Sequence, residues 1–136
     1  CATSRRPEAT AVLEAFLPLL RASERGRIVN VSTSMGSLAE QANPDSPYYG
    51  MIVPAYQSSK AALNSITIML AKALADTSIK VTSVCPGFVQ TDLTPVNREQ
   101  APLTATQAAE VVVAAATLPD DAPSGTFIDS NGTVPW

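Results

Sequence analysis

The first rhythm along the chain is helical. From Glu8 to Ala22 the apolar positions Val12, Leu13, Ala15, Phe16, Leu19 and Leu20 fall largely three and four apart, the spacing that gathers side chains on one face of an α-helix. Pro18 predicts weakened or kinked later turns, because it lacks a backbone donor. Residues 1–10 show no clear pattern, and Pro7 breaks any earlier helix. Glu24–Arg25–Gly26 reads as a stop. Arg27–Ser32 is short, β-branched and bounded by Gly26, which predicts a buried strand. Residues 33–54, rich in Ser, Gly, Asn and Pro, predict a long loop, and loops of that length in compact domains are functional or disordered. Ala55–Ala75 predicts a long helix whose apolar residues, Ala61 to Leu74, cover more than one face, as in a helix buried on two sides. Lys80–Cys85 predicts a second strand, stopped by Pro86–Gly87. Strand, helix and strand in that order form a right-handed crossover between parallel neighbours. A second long loop follows over 88–103. Thr104 and Gln107 then form a capping box that opens a helix over Ala105–Leu118, halted by Pro119. Asp120–Ser124 is a turn and Thr126–Asp129 a third strand. The pattern is that of one α/β domain over residues 1–136.

Composition narrows the chemistry. The chain is 46% hydrophobic and 15% charged, enough apolar material for a packed core. A net charge of −3, with the early arginines scattered among acids, argues against nucleic acid as a partner. No apolar run approaches a membrane span, and no secretory leader pattern is present. Cys1 and Cys85 lack metal-ligand spacing, and Cys85 reads as a buried thiol suited to a reducing, cytoplasmic setting. The chain has no histidine, so Ser-His-Asp and Cys-His hydrolases and ordinary catalytic zinc sites are excluded. A hydrolase built on Ser32, Thr33 or Ser34 would lack its base. Proton transfer falls to Tyr, Lys, Asp or Glu. The absence of an initiator Met before Cys1 reads as a fragment or a processed form.

Tyr56 and Lys60 are four apart at the start of the long helix, so their side chains share a face. A phenol is a poor base near neutrality, and an adjacent ammonium favours its phenolate. Such a pair can exchange a proton with a carbonyl or alcohol oxygen. The spacing alone fits a surface Tyr beside a surface Lys equally well. Tyr48 and Tyr49 are followed four residues on by Ile52 and Val53 instead of lysine, and stand as pocket-lining or surface residues.

The surroundings of the pair are specific. Gly-Arg-Ile-Val-Asn-Val-Ser-Thr-Ser-Met-Gly occupies 26–36, Tyr-Gln-Ser-Ser-Lys-Ala-Ala-Leu-Asn occupies 56–64, and Val-Thr-Ser-Val-Cys-Pro-Gly-Phe-Val-Gln-Thr-Asp occupies 81–92. In this order and strand–helix context the series strongly resembles the short-chain dehydrogenase/reductase family, over about residues 11–132. The resemblance implies a Rossmann-like, doubly wound parallel sheet and hydride transfer between NAD or NADP and a small alcohol or carbonyl substrate. It makes Tyr56 the acid/base, and gives Lys60 the tasks of lowering its pKa and holding the nicotinamide ribose. The family's carbonyl-orienting hydroxyl, the second Ser of an Asn-Val-Ser-Ser-x-x-Gly stretch, falls on Thr33, with Ser34 as second candidate; the bland alternative is that these hydroxyls cap backbone groups at a strand end. Pro86, Gly87, Val89 and Thr91 would lie against the nicotinamide. The family's catalytic Asn falls near Arg5 or Arg6, where no Asn stands. A homo-oligomer through helix 55–75 is also implied.

The departure is at the front. The glycines stand at 26, 36, 50, 87, 125 and 132, and none forms the Gly-rich turn that cradles a dinucleotide's phosphates. The amino-terminal nucleotide-binding half is thus missing from the pattern. A three-stranded remainder would expose a long sheet edge and apolar helix faces, which predicts a poorly soluble or partly molten isolated chain. Two readings follow: an oxidoreductase, and a truncated, non-enzymatic remnant of one that lacks the cofactor site.

Overall fold

The computed structural model describes residues 8–136. Arg5 and Arg6 lie outside the described residues. A single sheet holds four strands in the order β1 (Arg27–Val31), β2 (Lys80–Val84), β3 (Thr126–Asp129) and β4 (Gly132–Thr133). β1, β2 and β3 are parallel, with Arg27 opposite Lys80 and Ser83 opposite Phe127, whereas β4 returns antiparallel on β3. The sheet thus has one strand more than the sequence predicts, because Asp129 turns the chain back within two residues, its carboxylate accepting the Asn131 amide at 2.7 Å. The short return strand brings Val134 and Trp136 against Phe127, with the two aromatic rings stacked at 5.5 Å.

Helices cover both sheet faces, the layering of a Rossmann-like fold. α1 (Glu8–Ala22) and α3 (Pro54–Ala73) lie on one face, where Ile28, Leu74, Ile79 and Val81 meet Leu13, Leu17, Leu20, Leu70 and Ala71. α5 (Ala105–Ala116) lies on the other, where Val111 and Ala115 meet Val84, Val29 and Ile128. α1 runs through Pro18 to Ala22 without ending. Its half-buried stripe is Leu13, Leu17 and Leu20, while Val12, Phe16 and Leu19 are exposed. Both expected loops carry helix. The first contains a 3-10 turn at Ser34–Gly36 and α2 at Leu38–Ala42; the second contains α4 at Pro95–Gln100. Ser37 and Thr94 cap these short helices by accepting from Glu40 N and Asn97 N at 3.1 and 3.2 Å. Segments of five and six residues have too few turns for a periodic apolar stripe. The capping box is present at α5, with Thr104 N donating to Gln107 Oε1 at 2.9 Å.

α3 departs from the apolar, two-sided helix expected of it. Its most buried side chains are Gln57, Asn64 and Thr67. These share one stripe with Lys60, so the helix lays a polar seam against β1 and β2. Asn30 donates to Thr67 Oγ1 at 2.8 Å, and Thr67 and Ser83 hydroxyls are 2.9 Å apart. Met69, on another face, is exposed.

Candidate active site

The site lies at the carboxyl ends of β1 and β2, where parallel α/β sheets place their ligands. Three segments meet there. The first is the turn after β1. Gly36 lets it approach α3, since a Cβ at that position would stand 2.8 Å from Lys60 Cβ and 3.0 Å from the Lys60 carbonyl carbon. The second is the first turn of α3. Pro54 starts the helix without a side-chain cap at Val53; instead Gln57 Oε1 accepts from Val53 N at 2.9 Å and Gln57 Nε2 donates to Met51 O at 3.1 Å. That clamp fixes the chain immediately before Tyr56. The third is the turn after β2, where Gly87 takes a φ of +84° that other residues resist.

Tyr56 and Lys60 come together as their spacing predicts. Lys60 Nζ stands 5.9 Å from the centre of the Tyr56 ring and donates to the Val31 carbonyl at 2.9 Å. That bond crosses from α3 to the strand end and aims the ammonium at the site. Tyr56 is 36% exposed, so its phenol remains open to a ligand. The implied lowering of the phenol's pKa is not what this geometry produces. Burial raises it above the usual tyrosine value, and the neighbouring Cys85 adds to the rise. The physical reason is that the phenol loses hydration on burial, which disfavours its charged form.

The two hydroxyl candidates differ. Thr33 is half-buried, and its Oγ1 accepts the Met35 amide at 3.3 Å. A hydroxyl that accepts keeps its own proton to donate. Ser34 is buried inside the 3-10 turn. Thr33 thus also caps that turn, as the bland reading has it. Val89 bridges Leu103 and its carbonyl accepts from Asn97 Nδ2 at 3.1 Å; Thr91 Oγ1 accepts from Leu93 N at 3.4 Å. Both belong to the folded-back loop that follows Pro86 and Gly87. Tyr48 is half-buried and Tyr49 exposed in the segment before α3. Ser32 and Asn64 are buried with no hydrogen-bond partner for their side chains; sequence reasoning weighs Ser32 only as a hydrolase nucleophile and gives Asn64 no role. Both lie in the stretches 26–36 and 56–64, but a buried side chain's lack of a partner exists only in three dimensions.

The residues fit one end of a nicotinamide dinucleotide. An open phenol and an aimed ammonium suit a nicotinamide and its ribose. Among the described residues no glycine-rich turn stands before a helix to receive the phosphates: Gly36 packs on α3, and a Cβ at Gly87 would meet Leu103 Cδ1 at 2.8 Å.

Known proteins resemble this chain in sequence and fold. Salutaridine reductase of Papaver bracteatum is 34% identical over 155 residues, which cover 88% of this chain and 47% of that protein. The structure of salutaridine reductase from Papaver somniferum matches with a TM-score of 0.70 at 31% identity, over 88% of this chain and 50% of that one. The landomycin C-6 ketoreductase LanV, whose structure holds NADP and rabelomycin, matches with a TM-score of 0.63 at 27% identity, over 92% of this chain and 47% of that one. The chain therefore spans about half the length of these relatives. The sequence profile of the short chain dehydrogenases matches residues 9–102, from α1 through the site loops, and the chain belongs to that family.

Proposed function

We propose that the protein to which this chain belongs is an NAD(P)(H)-dependent oxidoreductase of small alcohol and carbonyl substrates, with Tyr56 as its acid/base. The observation that carries the reading is the Tyr56–Lys60 pair, open to solvent at the carboxyl end of a parallel sheet and held there by the Lys60–Val31 bond. When bound, held by Lys60 and the turn after β2, NAD(P)(H) would supply the hydride chemistry that interconverts carbonyl and alcohol. Tyr56 donates its phenolic proton to the carbonyl oxygen in reduction and receives it back in oxidation. A phenol held above its usual pKa keeps that proton throughout the neutral range, which suits the reductive direction. Thr33, with its hydroxyl proton free to donate, orients the carbonyl oxygen, and Lys60 steadies the charge that grows on the phenol. Pro86, Gly87, Val89 and Thr91 form the wall for the nicotinamide. LanV, with its NADP, supports a nicotinamide cofactor here. Exposed Met69 on α3 suits the homo-oligomer that the family resemblance implies.

The test is Tyr56→Phe in the complete protein, assayed by NADPH and NADH oxidation with a panel of cyclic and aromatic ketones. The expected result is a fall in kcat of about a thousandfold with the unfolding temperature unchanged. Retained turnover overturns the assignment of Tyr56. A folded complete protein that neither binds NADPH or NADH nor turns over favours the non-enzymatic reading.

A further inference from the structure

Asn64 is 4% exposed, and neither its amide oxygen nor its amide nitrogen has a hydrogen-bond partner. Ser32 is 3% exposed, and its hydroxyl also lacks one. Buried polar groups are costly to leave unpaired, so each asks for an explanation. The two face the same seam. Asn30 and Ser32 are two apart around the end of β1 and share a side of the strand, and Asn30 bonds Thr67 of α3. Lys60, Asn64 and Thr67 are four and three apart on α3 and share its stripe, and Lys60 bonds Val31 of β1. Asn64 therefore lies between the two points where α3 is laced to β1, and Ser32 lies at the strand end toward which Lys60 reaches.

The chemistry limits what fills the seam. Thr67 is already satisfied by Asn30, Ser83 and the Leu63 carbonyl, so the unused capacity belongs to Asn64 and Ser32. An amide and a hydroxyl both donate and accept. A cation is disfavoured beside the Lys60 ammonium. A water molecule needs two to four polar partners, and the Asn64 amide and Ser32 hydroxyl have that capacity unused.

We propose that Ser32 and Asn64 share one ordered water in the seam between β1 and α3, and that Asn64 acts through it as a positioning residue for Lys60, one helical turn away. The water completes the back wall of the Tyr56–Lys60 pair and keeps the first turns of α3 at a fixed distance from the strand end.

The test is a double-mutant cycle of Ser32→Ala and Asn64→Leu in the complete protein, followed by thermal unfolding. One shared water is lost once, so the double variant should unfold no lower than the worse single variant. The positioning role is read from the ultraviolet absorbance of tyrosinate, as the difference between each protein and the same protein carrying Tyr56→Phe. In Asn64→Leu the Tyr56 titration should move by about half a unit, because the turns of α3 that set the phenol's burial and its distance from the ammonium are no longer held in place. Where Asn64→Leu does not fold, Asn64→Ala serves in the same cycle. Additive losses in unfolding temperature, or an unmoved Tyr56 titration, overturn the proposal. Neither readout needs turnover, so this proposal and the oxidoreductase reading fail separately.

Discussion

The two ends of the parallel sheet are built on opposite principles. At the amino end the polar groups are paired. The Arg27 side chain, 7% exposed, donates to Leu118 O at 2.6 and 2.9 Å, to Gly26 O at 3.0 Å and to Ser78 O at 3.3 Å, and pairs with Asp120 at 2.6 Å. Arg25 reaches the same carboxylate at 3.1 Å. This clamp ties the starts of β1 and β2 to the end of α5, and the cleft of about 240 Å³ beside it offers little unspent hydrogen-bonding capacity. At the carboxyl end the phenol of Tyr56 is raised in pKa and left open, and Ser32 and Asn64 are buried without partners. Exposed Ile52, Val53, Phe88 and Leu93 flank that end in the segments before Tyr56 and after β2. Unspent bonding capacity gathers beside the Tyr56–Lys60 pair, with Thr82 Oγ1 in mid-strand a further unpaired group, while satisfied capacity marks the end that holds the fold.

Four variants sharpen this contrast, provided each is made in the complete protein. Lys60→Ala is expected to lower kcat about a hundredfold while the protein stays folded, as measured by steady-state kinetics beside thermal unfolding. An equal loss from Arg27→Met would erase the distinction between the ends. Gly36→Ala should damage stability and activity together. Its new methyl meets Lys60 and Ala61 backbone, which cannot rotate away, and the expected cost is about 2 kcal/mol in denaturant unfolding. Arg27→Met should cost about 1.5 kcal/mol, through the carbonyls it leaves unpaired, with kcat/KM intact. Asp120→Asn should have the smallest effect, and only above the acid range. The Arg27 hydrogen bond, aided by Arg25, holds the Asp120 carboxyl below its usual pKa. A depressed folded-state pKa gives stability that is present above the unfolded value and lost as pH falls through the folded one. The unfolding temperatures of the two proteins should therefore converge below about pH 4 and separate above it; parallel curves would show that Asp120 contributes nothing through its charge.

Much of the fold was legible because long elements carry their own periodicity. α1, α3 and α5 and the three parallel strands stand within a residue or two of where spacing and stop signals put them. The capping box of Thr104 and Gln107 is local chemistry, and it is present. The short elements were not legible. α2, α4 and β4 each span two to six residues, too few for a periodic pattern, and α2 also rests on a contact remote in sequence, the Ala39 amide donating to the Trp136 carbonyl at 2.9 Å. α1 spans Glu8–Ala22 with Pro18 inside it, as the spacing predicts, and Leu13, Leu17 and Leu20 pack on the sheet side on both sides of the proline.

The site divides in the same way. The order of residues was enough to show that Tyr56 and Lys60 share a helix face, that a Pro-Gly turn follows the second strand, and that this chain carries no histidine. Spacing along one helix and the inventory of side chains need no third dimension. Only the tertiary structure decided that the buried stripe of α3 is polar and that Thr33 is half-buried where Ser34 is enclosed. It alone decided that burial lifts the Tyr56 phenol and turns Lys60 toward Val31. Desolvation and hydrogen-bond pairing depend on which atoms meet across elements, and the distance between such atoms is not written in the order of residues.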